Sequence, residues 1–140
     1  MYRIENKLKI KKYIKIYRKK NRHKINIHEM ERLKTDIDYK LRKMLRNRIT
    51  AAVKNNQKSK KTMELIGCSI PFLKNRLESK FKKGMAWKNY GLYGWHIDHI
   101  IPCAHFDLSK PSQQKKCFHY KNLQPLWAEE NLKKSDKIFT

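Results

Sequence analysis

Trp95-His96-Ile97-Asp98-His99-Ile100-Ile101-Pro102 sets an aspartate and two histidines among β-formers in an otherwise basic, polar chain. Trp95, Ile97, Ile100 and Ile101 favour an extended strand, and Pro102, which has no backbone N–H to give, closes it and turns the chain away. Asp98 and His99 therefore fall near a strand end. A carboxylate holds a hard divalent cation through oxygen, and a neutral imidazole accepts a proton from water near neutral pH. The dipeptide thus offers a metal ligand and a general base side by side, a pairing suited to metal-assisted hydrolysis. A bare Asp-His pair is more often a surface pair or a satisfied buried one. His96 shares the strand face of Asp98 by the two-residue period, which makes it an additional candidate ligand or supporting group.

Downstream come Asn122-Leu123-Gln124-Pro125-Leu126-Trp127 and Asn131-Leu132-Lys133-Lys134. The order is Asp-His, a mid-motif Asn, a final Asn and a Lys one helical turn beyond it. It resembles the HNH endonuclease family, of the ββα-metal nuclease fold. The resemblance covers roughly residues 84–137. It extends more faintly back to Thr62, through Gly67-Cys68-Ser69 and Phe81-Lys82-Lys83-Gly84-Met85-Ala86-Trp87, a run similar to that in HNH proteins of phages and mobile elements.

The resemblance implies an α+β chain, with a helical basic N-terminal region followed by a ββα-metal module whose core is about 94–137. It implies a first strand over Trp95–Ile101, a long loop over Cys103–Lys121, a return strand over Leu123–Leu126 and a final helix from Ala128 to Ser135. A short helix near Pro111–Cys117 is expected inside the loop, capped by Ser109. Asp98 and Asn131 would ligate one divalent cation, Mg2+ or Mn2+. His99 would deprotonate the attacking water, and Asn122 would pin the loop so that the imidazole points correctly. The implied activity is hydrolysis of double-stranded DNA to 5′-phosphate and 3′-hydroxyl ends; the alternatives are a non-catalytic DNA-binding protein on an HNH scaffold and, on charge alone, a basic RNA-binding protein.

Physical chemistry runs in parallel with that implication. One carboxylate and one neutral amide leave much of a divalent charge uncompensated, so the ion can hold a phosphate and stabilise a leaving oxygen. Lys134, one turn after Asn131, is expected to grip a neighbouring phosphate, with Lys137 beside it. Read without the resemblance, Asn122 is a turn residue and Asn131 a solvated helix residue. Cys103-Ala104-His105 and Cys117-Phe118-His119 repeat a C-x-H pattern of zinc-ligand types, but the spacing matches no familiar zinc module. Packing thiols with polar loop histidines are expected there, and a structural zinc is not.

Composition bounds the partner. The 140 residues carry a formal net charge of +23, far beyond what solubility needs, which points to a polyanion. Residues 1–60 hold 21 Lys and Arg against 5 Asp and Glu, whereas residues 61–140 hold 14 against 7, so the binding charge lies mainly upstream of the motif. Three cysteines without a C-x-x-C spacing argue against a disulfide framework, and the chain is expected to be cytoplasmic. No apolar run approaches the roughly 18 residues of a membrane span, and no export signal is evident. Oligomeric state is not legible.

Residues 1–34 are Lys- and Arg-rich with Tyr and Ile interspersed, as in Lys11-Lys12-Tyr13-Ile14-Lys15-Ile16-Tyr17-Arg18-Lys19-Lys20. Their 13 cations suit an arm along phosphates, in which Lys11, Lys12, Arg18, Lys19 and Lys20 are candidate contacts. A solvated or frayed helical arm is the plainer alternative. Asp36 or Asp38 can cap a helix over about 39–55, with Leu41, Met44, Leu45, Ile49 and Ala52 inward and Arg42, Lys43 and Arg46 on the basic face. The polar stretch 55–61 is the expected boundary between a DNA-binding region, 1–55, and a nuclease domain, 62–140.

A short helix from Thr62 should stop at Gly67, and Ser69 should cap a second one with Pro71 in its first turn. The pair reads as a helical hairpin or a helix-turn-helix. Gly84 to Trp95 forms an aromatic loop, expected to pack the helices against the strand of Asp98, with base stacking as the other use of its rings.

Overall fold

The computed structural model describes residues 2–54 and 57–138. Asn55 and Asn56, where the expected second helix ends and the polar boundary begins, lie outside the described residues. The chain is a mixed α+β protein, with one two-stranded sheet among the described residues. It divides into two compact units, one up to Lys40 and one from Leu41 onward.

In the first unit, α1 runs without interruption over Tyr2–Thr35. At 1.5 Å per residue it is roughly 50 Å long. Its apolar residues do not form one stripe, and Ile4, Leu8, Ile10, Tyr13, Ile16 and Tyr17 are all more than half exposed. The helix is basic on every side rather than amphipathic, as its composition dictates. Asp36 breaks it and caps the next helix: Tyr39 N–H donates to Asp36 Oδ1 at 2.9 Å, while Arg32 reaches Asp36 Oδ2 at 3.3 Å. Of the two expected caps, Asp36 is the one used.

α2, Ile37–Val53, buries Leu41, Leu45, Ile49 and Val53, a single i, i+4 row, with Met44 and Ala52 partly covered beside it. That row belongs to the same core as Leu65, Ile70, Leu73, Leu77 and Phe118, so the division falls before it and not at the polar stretch. Apolar burial overrides the composition shift as the marker of the unit.

α3, Thr62–Ile66, ends at Gly67, whose φ of 77° lets its N–H reach Met63 O. Gly67 is also tight against its neighbour, since an added Cβ would lie 2.8 Å from His119 Nε2. α4, Ile70–Glu78, starts at Ser69, whose hydroxyl accepts from Phe72 N–H at 3.3 Å.

The aromatic loop does the packing expected of it. Trp95 is fully buried, with Phe81, Trp87 and Tyr90 around it at ring-centroid distances of 4.8, 5.1 and 4.6 Å. Its indole N–H donates to Ala86 O at 2.8 Å. Burying one such ring is worth on the order of 4–6 kcal/mol by area. Tyr93 is 95% exposed and takes no part.

β1, Trp95–His99, pairs antiparallel with β2, Leu123–Trp127, in a register that sets Asp98 opposite Gln124 and His99 opposite Leu123. Ladder pairing stops at His99, two residues short of the expected strand end, because Ile100 and Ile101 turn to bond Asn122. Between the strands lies α5, Pro111–Phe118. Ser109 does not cap it: Lys110 is the N-cap residue, and the Ser109 hydroxyl donates to Asp107 Oδ1 instead. Gln114 on α5 is 1% exposed and holds the segment before α3, accepting from Ser59 N–H and donating to Gln57 O and Leu108 O.

β2 leads straight into α6, Ala128–Lys134. Glu130 reaches back to Trp127 N–H at 3.2 Å and is itself paired with Lys82 at 2.8 Å, while Ala128 N–H donates to Gly94 O at 2.9 Å. These bonds fix the angle at which α6 leaves the sheet and so where Asn131 and Lys134 fall.

Candidate active site

Asp98 and His99 end β1 as the hydrophobic pattern requires, and both are buried, at 5% and 7% exposure. Asp98 Oδ2 accepts from Lys134 Nζ at 2.8 Å and from Gln124 Nε2 at 3.0 Å. The Gln124 contact follows from the cross-strand register. No motif announced it, although pairing the two strands from the sequence would have found it.

Lys134 is 1% exposed and not a surface cation. Its ammonium lies between the Asp98 carboxylate and the His99 carbonyl oxygen, donating to both. The expected grip on a neighbouring phosphate is therefore corrected: α6 turns Lys134 inward, because a buried carboxylate needs a counter-charge more than the side chain needs solvent. Lys137, three residues on, is exposed as expected.

His96 and Asn131 meet, with Asn131 Nδ2 3.1 Å from His96 Nδ1. The other ring nitrogen of His96 lies 3.2 Å from Leu92 O. A carbonyl only accepts, so Nε2 carries the proton and Nδ1 accepts from the Asn131 amide. Both ring nitrogens are thus occupied, and His96 is placed to orient Asn131 rather than to ligate an ion. The Asn131 amide nitrogen is turned to His96, which leaves its oxygen for another partner.

Asn122 is buried and ties three segments together. Its Oδ1 accepts from Ile101 N–H at 2.8 Å, and its Nδ2 donates to Ile101 O at 3.0 Å and Cys117 O at 2.9 Å. Its own carbonyl accepts from Ile100 N–H at 2.8 Å. This pins the turn after β1 to the end of α5, and with it the backbone that carries His99.

The His99 ring packs edge-on against Phe118, and its Nδ1 lies 3.7 Å from Cys103 Sγ. Cys117 Sγ–H donates to Cys103 Sγ at 3.4 Å. That donation, with the His99 contact adding to it and burial opposing, holds the Cys103 thiol well below its ordinary range and pushes Cys117 up. The C-x-H pattern does not close on itself: His105 Nε2 contacts Asp136 O at 2.7 Å, and His119 lies against Tyr120. Burial is the main cause that lowers the His119 imidazole.

Candidate phosphate contacts are spread over both units. Lys11, Lys12, Arg18, Lys19 and Lys20 are exposed along α1. In the second unit, Arg42 and Arg46 line an open groove of about 770 Å3 with Lys58, Lys60 and Lys61, where Glu64 is the acidic member. The groove, which the sequence did not single out, combines the basic face of α2 with the segment before α3.

Two proteins of Acanthamoeba polyphaga mimivirus are similar to the chain, both described as uncharacterized. L426 is 37% identical over 99% of the chain and 66% of its own length. L246 is 41% identical over 84% of the chain and 53% of its own length. The chain thus spans about half to two thirds of the relatives it matches. No family model and no solved structure matches it.

Among the described residues, no helix is long and apolar enough to cross a membrane.

Proposed function

We propose that this chain is an HNH-type DNA endonuclease that hydrolyses phosphodiester bonds with one divalent cation, leaving 5′-phosphate and 3′-hydroxyl ends. The observation that carries the reading is the Asn122 clamp. A mid-motif Asn accepts from the Ile101 N–H and donates to the Ile101 and Cys117 carbonyls, fixing the strand end on which Asp98 and His99 stand. A turn asparagine would need only one of those bonds.

The donor set fits a hard cation. Asp98 brings a buried carboxylate, and Asn131 brings an amide oxygen left free by its contact with His96. Mg2+ or Mn2+ held by these two residues would supply charge to bind the scissile phosphate and stabilise the leaving oxygen. The chain's own residues do the rest. His99, with Nδ1 turned to Cys103, has Nε2 for the proton of an attacking water. Asn122 keeps that ring from swinging by fixing its backbone. Lys134 and Gln124 engage one oxygen of Asp98 and so direct the other towards a ligand. The exposed cations of α1 and of the Arg42–Arg46 groove would carry the duplex, chiefly by phosphate contact.

A second reading, a non-catalytic DNA-binding protein on the same scaffold, has one observation in its favour: the Lys134 ammonium already neutralises Asp98. Supercoiled plasmid incubated with metal-free protein separates the two. Nicking or linearisation that requires Mg2+ or Mn2+, stops on chelation and is lost in His99→Ala while DNA binding persists is the expected result. Binding without any metal-dependent cleavage would establish the second reading instead.

A further inference from the structure

Cys103 and Cys117 stand far apart in sequence from any recognisable zinc spacing, yet the fold brings both to His99. Cys103 Sγ lies 3.4 Å from Cys117 Sγ and 3.7 Å from His99 Nδ1, and the three ligand atoms fall within 4.8 Å of one another. A tetrahedral zinc centre, with Zn–S of about 2.3 Å and Zn–N of about 2.0 Å, needs ligand atoms roughly 3.5–3.8 Å apart. Two of the three edges are already close to that.

The cradle is fixed from outside. His99 ends β1, Cys103 begins the turn Cys103–His105 held by Phe106 N–H to Cys103 O, and Cys117 lies in the last turn of α5. Asn122 bonds the backbone of Ile101 and Cys117 at once, so one side chain locks the segments that bring the two thiols together. Cys117 is fully buried, whereas Cys103 is half-buried and opens a path for an ion and a fourth ligand from solvent.

We propose that His99 Nδ1, Cys103 Sγ and Cys117 Sγ form a site for a soft divalent ion of the zinc class, separate from the hard-cation site at Asp98 and Asn131. Two thiolates and an imidazole select zinc or cobalt over magnesium, because sulfur is a poor ligand for a hard ion. Binding releases the proton that Cys117 donates to the Cys103 sulfur, metal bonds to the two sulfurs and to Nδ1 replace the Cys117-to-Cys103 and Cys103-to-His99 contacts, and no electron changes hands.

One consequence rests on the nuclease reading. A metal on Nδ1 leaves the ring proton on Nε2, so the imidazole can no longer accept a proton from water. Zinc in this site and His99 as base are mutually exclusive, and the thiol pair becomes an inhibitory metal sensor.

The test uses the full chain, reduced and metal-free, titrated with Co2+. The expected result is one Co2+ per chain with sulfur-to-cobalt charge-transfer absorption and tetrahedral d–d bands, displaced by Zn2+ and not by excess Mg2+. Cys68→Ser should bind as the parent does, while Cys103→Ser and Cys117→Ala should each bind at least about 100-fold more weakly. Charge transfer that is absent, or that survives in both variants, overturns the site. Should a variant fail to fold, the parent decides: Zn2+ must slow alkylation of Cys103 and leave Cys68 unaffected, and equal rates with and without Zn2+ sink the proposal. In the cleavage assay one equivalent of Zn2+ should suppress Mg2+-dependent nicking, reversed by a zinc-selective chelator. Nicking that persists with the site shown to be filled refutes the inhibitory role. A chain that never nicks defeats the nuclease reading, and the cobalt spectrum still decides the site.

Discussion

Replacing Lys134 by Met should destabilise the second unit severely, and the structure gives the size of the effect. The Lys134–Asp98 pair is 2.8 Å long, with side-chain exposures of 1% and 8%. Removing one member leaves a buried, uncompensated carboxylate, which costs about 3–5 kcal/mol, and it also removes the donor to the His99 carbonyl. For a unit of this size that corresponds to a fall in Tm of roughly 15–30 °C. The double variant Lys134→Met with Asp98→Asn removes both charges and should recover most of the loss, since a neutral pair pays no ionic desolvation. The coupling energy of the cycle should then be about 2 kcal/mol or more. Urea unfolding followed by tryptophan fluorescence measures each corner. Added Mg2+ should stabilise Lys134→Met more than the parent, because a divalent ion at Asp98 can take over the lost ammonium's role. If Lys134→Met unfolds within about 0.5 kcal/mol of the parent, the Lys134 ammonium is not the counter-charge of Asp98 and the account of the site fails.

Three further outcomes follow from particular contacts. Gly94→Ala would set a Cβ 1.6 Å from Asn89 O, so it should cost about 3 kcal/mol or more in urea unfolding and detach the loop from the start of α6. Burial pushes the Tyr90 hydroxyl up to about 12, above its unfolded value near 10. The stability this contributes is therefore full below about pH 10 and is lost as pH rises from 10 to about 12, by at most roughly 2.7 kcal/mol, which unfolding across that window measures and Tyr90→Phe should blunt. Changing Lys11, Lys12, Arg18, Lys19 and Lys20 to Gln should flatten the slope of log affinity for duplex DNA against log salt by up to roughly 4.5, with the second unit still folded. An unchanged slope would shift the phosphate contacts to the groove of Arg42 and Arg46.

Much of the architecture was legible because it is written in local chemistry. Gly67 stops α3 through a positive φ, Ser69 and Asp36 cap their helices, and the β-formers ahead of Pro102 mark the strand that carries Asp98 and His99. Each depends only on nearest neighbours along the chain. Asn122 bonds Ile101 in the turn after β1 and Cys117 at the end of α5.

What the sequence by itself determined about this protein is therefore its basic charge, its order of elements and the positions of Asp98, His99, Asn122 and Asn131 along the chain. Only the tertiary structure decided what each of them touches. The burial of Leu41, Leu45, Ile49 and Val53 moved the unit boundary to the start of α2, against the polar composition of 55–61, because an apolar row must find a core wherever charge changes. Lys134, read as a phosphate-gripping cation, lies inside on Asp98; His96, read as an additional ligand or a supporting group, spends both nitrogens on Asn131 and Leu92; and Cys103 and Cys117, read as packing thiols, contact each other, with Cys103 also against His99. These are contacts between residues that can be more than thirty positions apart, set by the angle at which α6 and α5 leave the sheet. No spacing along one element encodes that angle, which is fixed by packing and by bonds such as Ala128 to Gly94.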